Sequence, residues 1–333
     1  MAVKTVAICY MSLSIDITTL TWSSCVTGIS YTTRQALTTY RPEGLIAASV
    51  TPFADDDSLD EGRLRSHLDY LLAAGVDGIL VIGGSGEYVN LSPEERVRVI
   101  ELSAEEIAGR VPMIVGALGP STREALEIGR LAARAGATAI LAPPPYYIKP
   151  SLDGTVAHFQ DLVKETGLPV IAYNNPGRTG VSLGLTELEA IARVDGVVGV
   201  KESDRDVSSI YLKIMRLRSR LAILSGDDDL GFATLLSGAP GAIWSTANLA
   251  PRLCVELFHA CREGNLKTAL RAHERLMKLI WVRRTIPNHP GPLKECMAMV
   301  GRSVGRGRAP LAAMTDAERA LVSTALRESE PIE

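Results

Sequence analysis

Aromatic residues make up only 5% of this 333-residue chain, and no stretch of about 20 apolar residues, the length a membrane-spanning helix needs, occurs in it. The shortage of rings leaves the core to Ala, Val, Ile and Leu, a bias that suits repeated βα units better than a β-sandwich. It also removes the stacking platforms that single-stranded nucleic acid requires. The one local concentration of positive charge, Arg302, Arg306 and Arg308, therefore reads as a solvated loop. Charge of one sign is lacking too: the formal net value of -3 gives no field for steering nucleic acid or an anionic membrane.

Paired cysteines are missing as well. Cys9, Cys25, Cys254, Cys261 and Cys296 are odd in number and irregularly spaced, the pattern of thiols in a reducing cytoplasm. The five histidines form no HExxH and no Cys/His cluster, so no metal site is expected.

What remains is 46% hydrophobic and 22% charged, a composition ordinary for a soluble globular protein that excludes wholesale disorder. Residues 1–40 stand apart as an extension of unknown role. Lys4 precedes a short apolar stretch there, but Ser12, Ser14 and Asp16 interrupt it too early for a signal peptide. From residue 41, short apolar runs alternate with amphipathic stretches. The runs read as strands are Ile46–Val50, Ile79–Ile82, Met113–Ala117, Thr138–Ala142, Val170–Tyr173, Val197–Lys201, Ala222–Ser225 and Gly241–Ser245. Continuous rather than alternating apolar character marks strands buried on both faces of a parallel sheet. Ser92-Pro93-Glu94-Glu95 and Ser121-Thr122-Arg123-Glu124 read as helix starts, and Gly75, Gly136 and Gly167 as left-handed helix ends. The pattern predicts an α/β protein with a (β/α)8 barrel over 41–262. Helices near Leu266–Ile280, Pro292–Val300 and Thr315–Leu326 form a C-terminal extension over 263–333. An open dinucleotide-binding sheet is disfavoured, since GxGxxG is absent after the first strand.

In such a barrel, chemistry belongs at the C-terminal strand ends. Lys201 alone among the lysines extends an apolar strand toward the mouth, where partial desolvation would free its amine to attack a carbonyl carbon. It is equally compatible with a side chain that snorkels to solvent. Tyr173 ends the neighbouring strand and is placed to shuttle a proton. Arg178, on a Pro/Gly-shaped turn, has the forked donors for a carboxylate. Gly83, Gly84 and Gly86 around Ser85 expose N–H groups and a hydroxyl. GxSxG is not matched there, and no histidine is expected beside the serine. Of Tyr146 and Tyr147, one is expected in the site and the other at an interface or in packing. Asp227, Asp228 and Asp229 read as a helix N-cap with favourable first-turn charge rather than a metal site.

The segments GGSGE, PPPYY, YNNPGRTG, VGVKES, LSGDDD and GAIWSTAN follow in that order. Together they resemble the dihydrodipicolinate synthase / N-acetylneuraminate lyase family across about residues 41 to 330. The resemblance implies that Lys201 forms a Schiff base with pyruvate, or with a 2-oxo acid cleaved to it, and that Tyr173 moves protons over it. Ser85 would hold the pyruvate carboxylate, Ile243 would touch it through its backbone, and Arg178 would bind the second substrate's carboxylate. Tyr147 would reach into a neighbouring subunit's site, implying a dimer or tetramer. No metal or organic cofactor is implied.

The chain departs from the family at Gly84, where synthases usually carry a threonine that links two tyrosines. That leaves open a catabolic aldolase or dehydratase acting on a 2-keto-3-deoxy sugar acid or a 4-hydroxy-2-oxo acid. Pro93, Arg96 and Pro120 stand where lysine-regulated members carry polar ligands, so inhibition by lysine is not expected. Two other classes compete. One is a metabolite-binding protein with a vestigial site, disfavoured by intact Lys201, Tyr173 and Arg178. The other is a glycosidase using Glu87 and Glu202, disfavoured by the missing aromatic sugar platform.

Overall fold

The computed structural model describes residues 40–329, so all but the last residue of the 1–40 extension lies outside it. Eight parallel strands close into a barrel in chain order. They are β1 Gly44–Ala48, β2 Gly78–Val81, β3 Met113–Gly116, β4 Ala139–Ala142, β5 Val170–Asn174, β6 Val197–Glu202, β7 Ala222–Ser225 and β8 Gly241–Trp244. Every strand residue is buried, as the continuous apolar runs require. The largest departure from expectation is β1, which begins and ends two residues earlier than Ile46–Val50. Gly44, at φ +83°, already faces Gly241 of β8, where the backbones come so close that a Cβ on Gly241 would lie 2.6 Å from the Gly44 carbonyl oxygen.

The outer layer begins with α1 Glu61–Ala73, α2 Pro93–Ile107, α3 Thr122–Arg134 and α4 Leu152–Thr166. It continues with the short α5 Pro176–Thr179, then α6 Leu185–Ile191, α7 Val207–Leu217, α8 Gly231–Leu236 and α9 Pro251–Arg262. Ser92 caps α2 in a full capping box with Glu95. Ser121 caps α3, but Glu124 does not reach back; its carboxylate pairs with Arg96 on α2 instead. Gly75, Gly136 and Gly167 all adopt positive φ.

Beyond the barrel come α10 Leu266–Thr285, α11 Gly291–Met299 and α12 Asp316–Glu328. α10 runs five residues past the predicted Ile280. This extension carries Arg283 and Arg284 to the barrel mouth. No helix of the described residues is long and apolar enough to cross a membrane.

In the segment after α11, Arg306 is exposed as expected of a solvated loop, but Arg302 and Arg308 are not solvated. Arg308 pairs with Glu95, donates to the Asn90 carbonyl at 2.8 Å and lies 4.0 Å from the Phe53 ring centroid. Arg302 lies 3.8 Å from the Tyr70 ring centroid and donates to the Asn248 and Leu249 carbonyls. Gly305 crosses the first loop so closely that a Cβ there would lie 1.9 Å from the Phe53 carbonyl oxygen.

Two buried histidines make the fold acid-sensitive. His67 Nε2 meets Asn248 Oδ1 at 2.8 Å; His158 meets the Pro143 carbonyl at 3.1 Å and Thr122 Oγ1 at 2.9 Å. Burial lowers both from the ordinary 6.5 to about 4. Between those values the unfolded chain binds protons that the folded chain refuses, so stability falls as pH drops through the window. At pH 5 the loss is about 2 kcal/mol per histidine. Urea denaturation at pH 7 and pH 5 should show it, and the double variant His67→Gln/His158→Gln should show a flatter pH dependence.

Candidate active site

A cavity of ≈ 810 Å³ opens at the C-terminal strand ends, its wall shared by Gly84, Ser85, Tyr173, Arg178, Lys201 and Ile243. The structure thus brings together six of the seven predicted site residues, the seventh, Tyr147, being the one expected to reach a neighbouring subunit's site. Tyr147 is not among them: it is 89% exposed on the loop after β4. Its neighbour Tyr146 is half-buried, its hydroxyl 3.4 Å from that of Tyr88.

The central pair depends on strand register. Tyr173 of β5 faces Lys201 of β6, and this match follows an irregularity lower in the ladder, where Val170 faces Val197 but Ile171 faces Gly199. Without that extra residue on β6, Tyr173 would stand opposite Val200 and the lysine would point to the other face. Lys201 Nζ lies 4.8 Å from the Tyr173 ring centroid, and both residues are buried. The Tyr173 hydroxyl accepts a hydrogen bond from Asn175 Nδ2 at 2.7 Å. One residue on, Glu202 is directed outward, where Lys213 of α7 lies 2.9 Å away and Asn174 Nδ2 donates to it at 2.7 Å. Burial pushes the Glu202 carboxyl up against the pull of Lys213.

The loop after β2 is held by strain and charge. Ile82 and Glu87 bracket it, both at positive φ (46° and 53°), a region costly for a β-branched residue such as Ile82. Glu87, buried, pairs with the buried Lys294 of α11 at 2.5 Å. Lys294 also donates to the Arg306 carbonyl at 3.2 Å, and Glu87 accepts from the Arg308 N–H at 3.0 Å. A Cβ built on Gly84 meets nothing within 4 Å, so the space a larger side chain would fill is open.

A histidine does stand beside Ser85, contrary to expectation. His289 Nε2 lies 3.2 Å from Ser85 Oγ and lines the cavity. Burial drives the imidazole well below 6.5, helped by the positive charges of Arg283, Arg178 and Lys201, so the ring is neutral. No carboxylate bonds to it among the described residues, and a serine hydrolase relay gains no support. Pro287 and Pro290 flank it and mark a break in helical pattern, which locates a loop but not what that loop packs against.

The three aspartates also differ from expectation. No side chain caps the short 3₁₀ turn Asp228–Leu230. Asp227 and Asp229 pair with Arg205 and Arg284, while Asp228 accepts from Ser245 Oγ and the Thr246 N–H. Arg283, unforeseen in the sequence, lies against the same Ser245.

A sequence profile of the dihydrodipicolinate synthetase family matches residues 41–329. The 4-hydroxy-tetrahydrodipicolinate synthase of Bartonella bacilliformis is 34% identical over 290 residues, 86% of this chain and 98% of that one. Its counterpart in Methanothermobacter thermautotrophicus is 37% identical over 79% of this chain and 94% of its own. Among solved structures, the chloride-inhibited dihydrodipicolinate synthase of Acinetobacter baumannii complexed with pyruvate superposes with a TM-score of 0.83 at 31% identity. That match covers 86% of this chain and 98% of that one.

Proposed function

The chain belongs to the dihydrodipicolinate synthetase family and is a lyase of the aldolase type; from that premise we propose that it works through a Schiff base at Lys201. The observation that carries the proposal is the placement of Lys201 Nζ against the Tyr173 ring inside a cavity shared with Ser85 and Arg178. The amine attacks the carbonyl carbon of pyruvate, and the carbinolamine loses water to give an iminium. Tyr173, its hydroxyl oriented by Asn175, hands the proton to the departing oxygen. Ser85, steadied by His289, and the backbone at Ile243 seat the carboxylate. Loss of a C3 proton then gives an enamine whose carbon joins an aldehyde; the reverse sequence cleaves a 2-oxo acid to pyruvate. The iminium is itself the electron sink, so the proposal includes no metal and no organic cofactor.

The condensing, synthase-like direction is our first choice, because Arg178, exposed at the mouth and without a carboxylate partner among the described residues, can meet a carboxylate on the aldehyde. The open space at Gly84 favours a second one: cleavage or dehydration of a 2-keto-3-deoxy sugar acid or a 4-hydroxy-2-oxo acid, whose bulkier chain it would admit. Trapping tests what both share. Borohydride added with pyruvate should fix an adduct on Lys201 with the mass of pyruvate less one oxygen; folded protein without it would refute the lyase chemistry. Turnover across aspartate semialdehyde and several 2-oxo sugar acids then separates the two.

Self-association is part of the proposal. Tyr147, Ile148 and Val89 leave large apolar side chains exposed, as a dimer or tetramer contact would require. Sedimentation showing only monomer at micromolar concentration would exclude it. Arg96 is committed to Glu124 and the Tyr88 carbonyl, which leaves no free ligand there for a lysine effector. Submillimolar lysine should leave turnover unchanged, and a titration curve that falls in that range would contradict this.

A further inference from the structure

Arg283 belongs to α10, outside the barrel, yet its side chain forms part of the cavity wall. It is only 7% exposed. Its terminal nitrogens donate to Ser245 Oγ at 3.3 Å and Thr246 Oγ1 at 2.6 Å, and Nε, fully buried, has no partner. Among the described residues no carboxylate pairs with it: Asp228, on the loop after β7, spends both oxygens on Ser245 and Thr246. A guanidinium taken from water without a counter-ion is costly to the fold.

The neighbours supply the contrast. Arg205 and Arg284, on the same wall, are neutralised by Asp227 and Asp229. Among the described residues no carboxylate pairs with Lys201, Arg178 or Arg283, and His289 offers no negative charge. Ser203 Oγ, another buried polar atom of this wall, also lacks a partner. The carboxylate of pyruvate answers only one of the three cations.

We propose that Arg283 is a further substrate-binding residue, holding a second carboxylate carried by the 2-oxo acid that binds Lys201, apart from the aldehyde carboxylate assigned to Arg178. The inference rests on the lyase chemistry above. It adds a specificity determinant contributed from outside the barrel, and it selects dicarboxylic ligands over those that end in a hydroxyl or a methyl group.

Calorimetric binding of 2-oxoglutarate and of 2-oxopentanoate, which replaces the second carboxylate by a methyl group, tests it. The ratio of the two affinities is the readout. The wild-type protein should prefer the dicarboxylate by about tenfold or more, the scale of a charge-assisted contact. Arg283→Met should bring the ratio near one, and Arg283→Lys should restore part of it, since an ammonium keeps the charge without the fork. Arg284→Met, removing an arginine already paired, should leave the ratio as in wild type. A wild-type ratio near one, or a preference that survives in Arg283→Met, would overturn the proposal. Should Arg283→Met fail to fold by circular dichroism, Arg283→Gln, which can still bond Ser245 and Thr246, is read in its place. Borohydride trapping keeps the two ideas apart: an adduct without dicarboxylate preference refutes Arg283 alone, and a preference without an adduct refutes the Schiff base alone.

Discussion

Replacing Lys201 with methionine is expected to abolish the borohydride adduct and to reduce turnover to background, while the protein stays folded. Among the described residues Lys201 is the only lysine lining the cavity. Lys213 and Lys294, the other buried lysines, are locked to Glu202 and Glu87. No second amine among the described residues lines the cavity to substitute. Methionine fills a similar volume, so the barrel loses a charge without gaining a cavity. Tyr173→Phe separates attack from proton transfer: it keeps the ring under Lys201 Nζ and removes the hydroxyl held by Asn175. It should lower kcat by about 10²- to 10⁴-fold, the usual reach of a positioned proton donor, and still form the adduct slowly. An unimpaired Tyr173→Phe enzyme would move the proton shuttle to another residue. A Lys201→Met protein that still traps pyruvate would end the Schiff-base account.

The second large effect concerns stability. Lys294→Met should destabilise the fold by about 3–5 kcal/mol, because it strands the buried Glu87 carboxylate. Glu87→Gln/Lys294→Met should recover most of that loss, since no charge is then left unpaired. Urea denaturation of the single and double variants measures both. The pair also ties the Ser85 loop to α11, so Lys294→Met should raise the KM for pyruvate more than it lowers kcat. A double variant no more stable than Lys294→Met would show that the stranded carboxylate is not the source of the loss.

Much of this molecule was legible in its sequence because barrel strands announce themselves locally. Every predicted strand lies within two residues of an observed one, and Lys201, Tyr173, Ser85, Arg178 and Ile243 meet because strand ends of one barrel share a mouth. Tyr147 lies on the expected loop and outside this chain's cavity, as a residue assigned to a neighbouring subunit's site would. His289, Arg283 and the Glu87–Lys294 pair were out of reach. Each comes to the site by tertiary packing of the post-barrel segment, and no periodicity within that segment records what it packs against. Ending α10 at Ile280 hid Arg283, and treating Arg302 and Arg308 as solvated missed the contacts with which they fasten the segment back onto the first loops.

That fastening has a consequence for synthesis. Chains are made from the N-terminus, and a nascent polypeptide that has emerged only as far as α9 already holds Lys201 and Tyr173. It has neither His289 beside Ser85 nor Lys294 under Glu87, because both arrive last. Competence to handle substrate is therefore acquired at the end of translation, and a ribosome-stalled chain halted after residue 282 should give far less pyruvate adduct than the released protein.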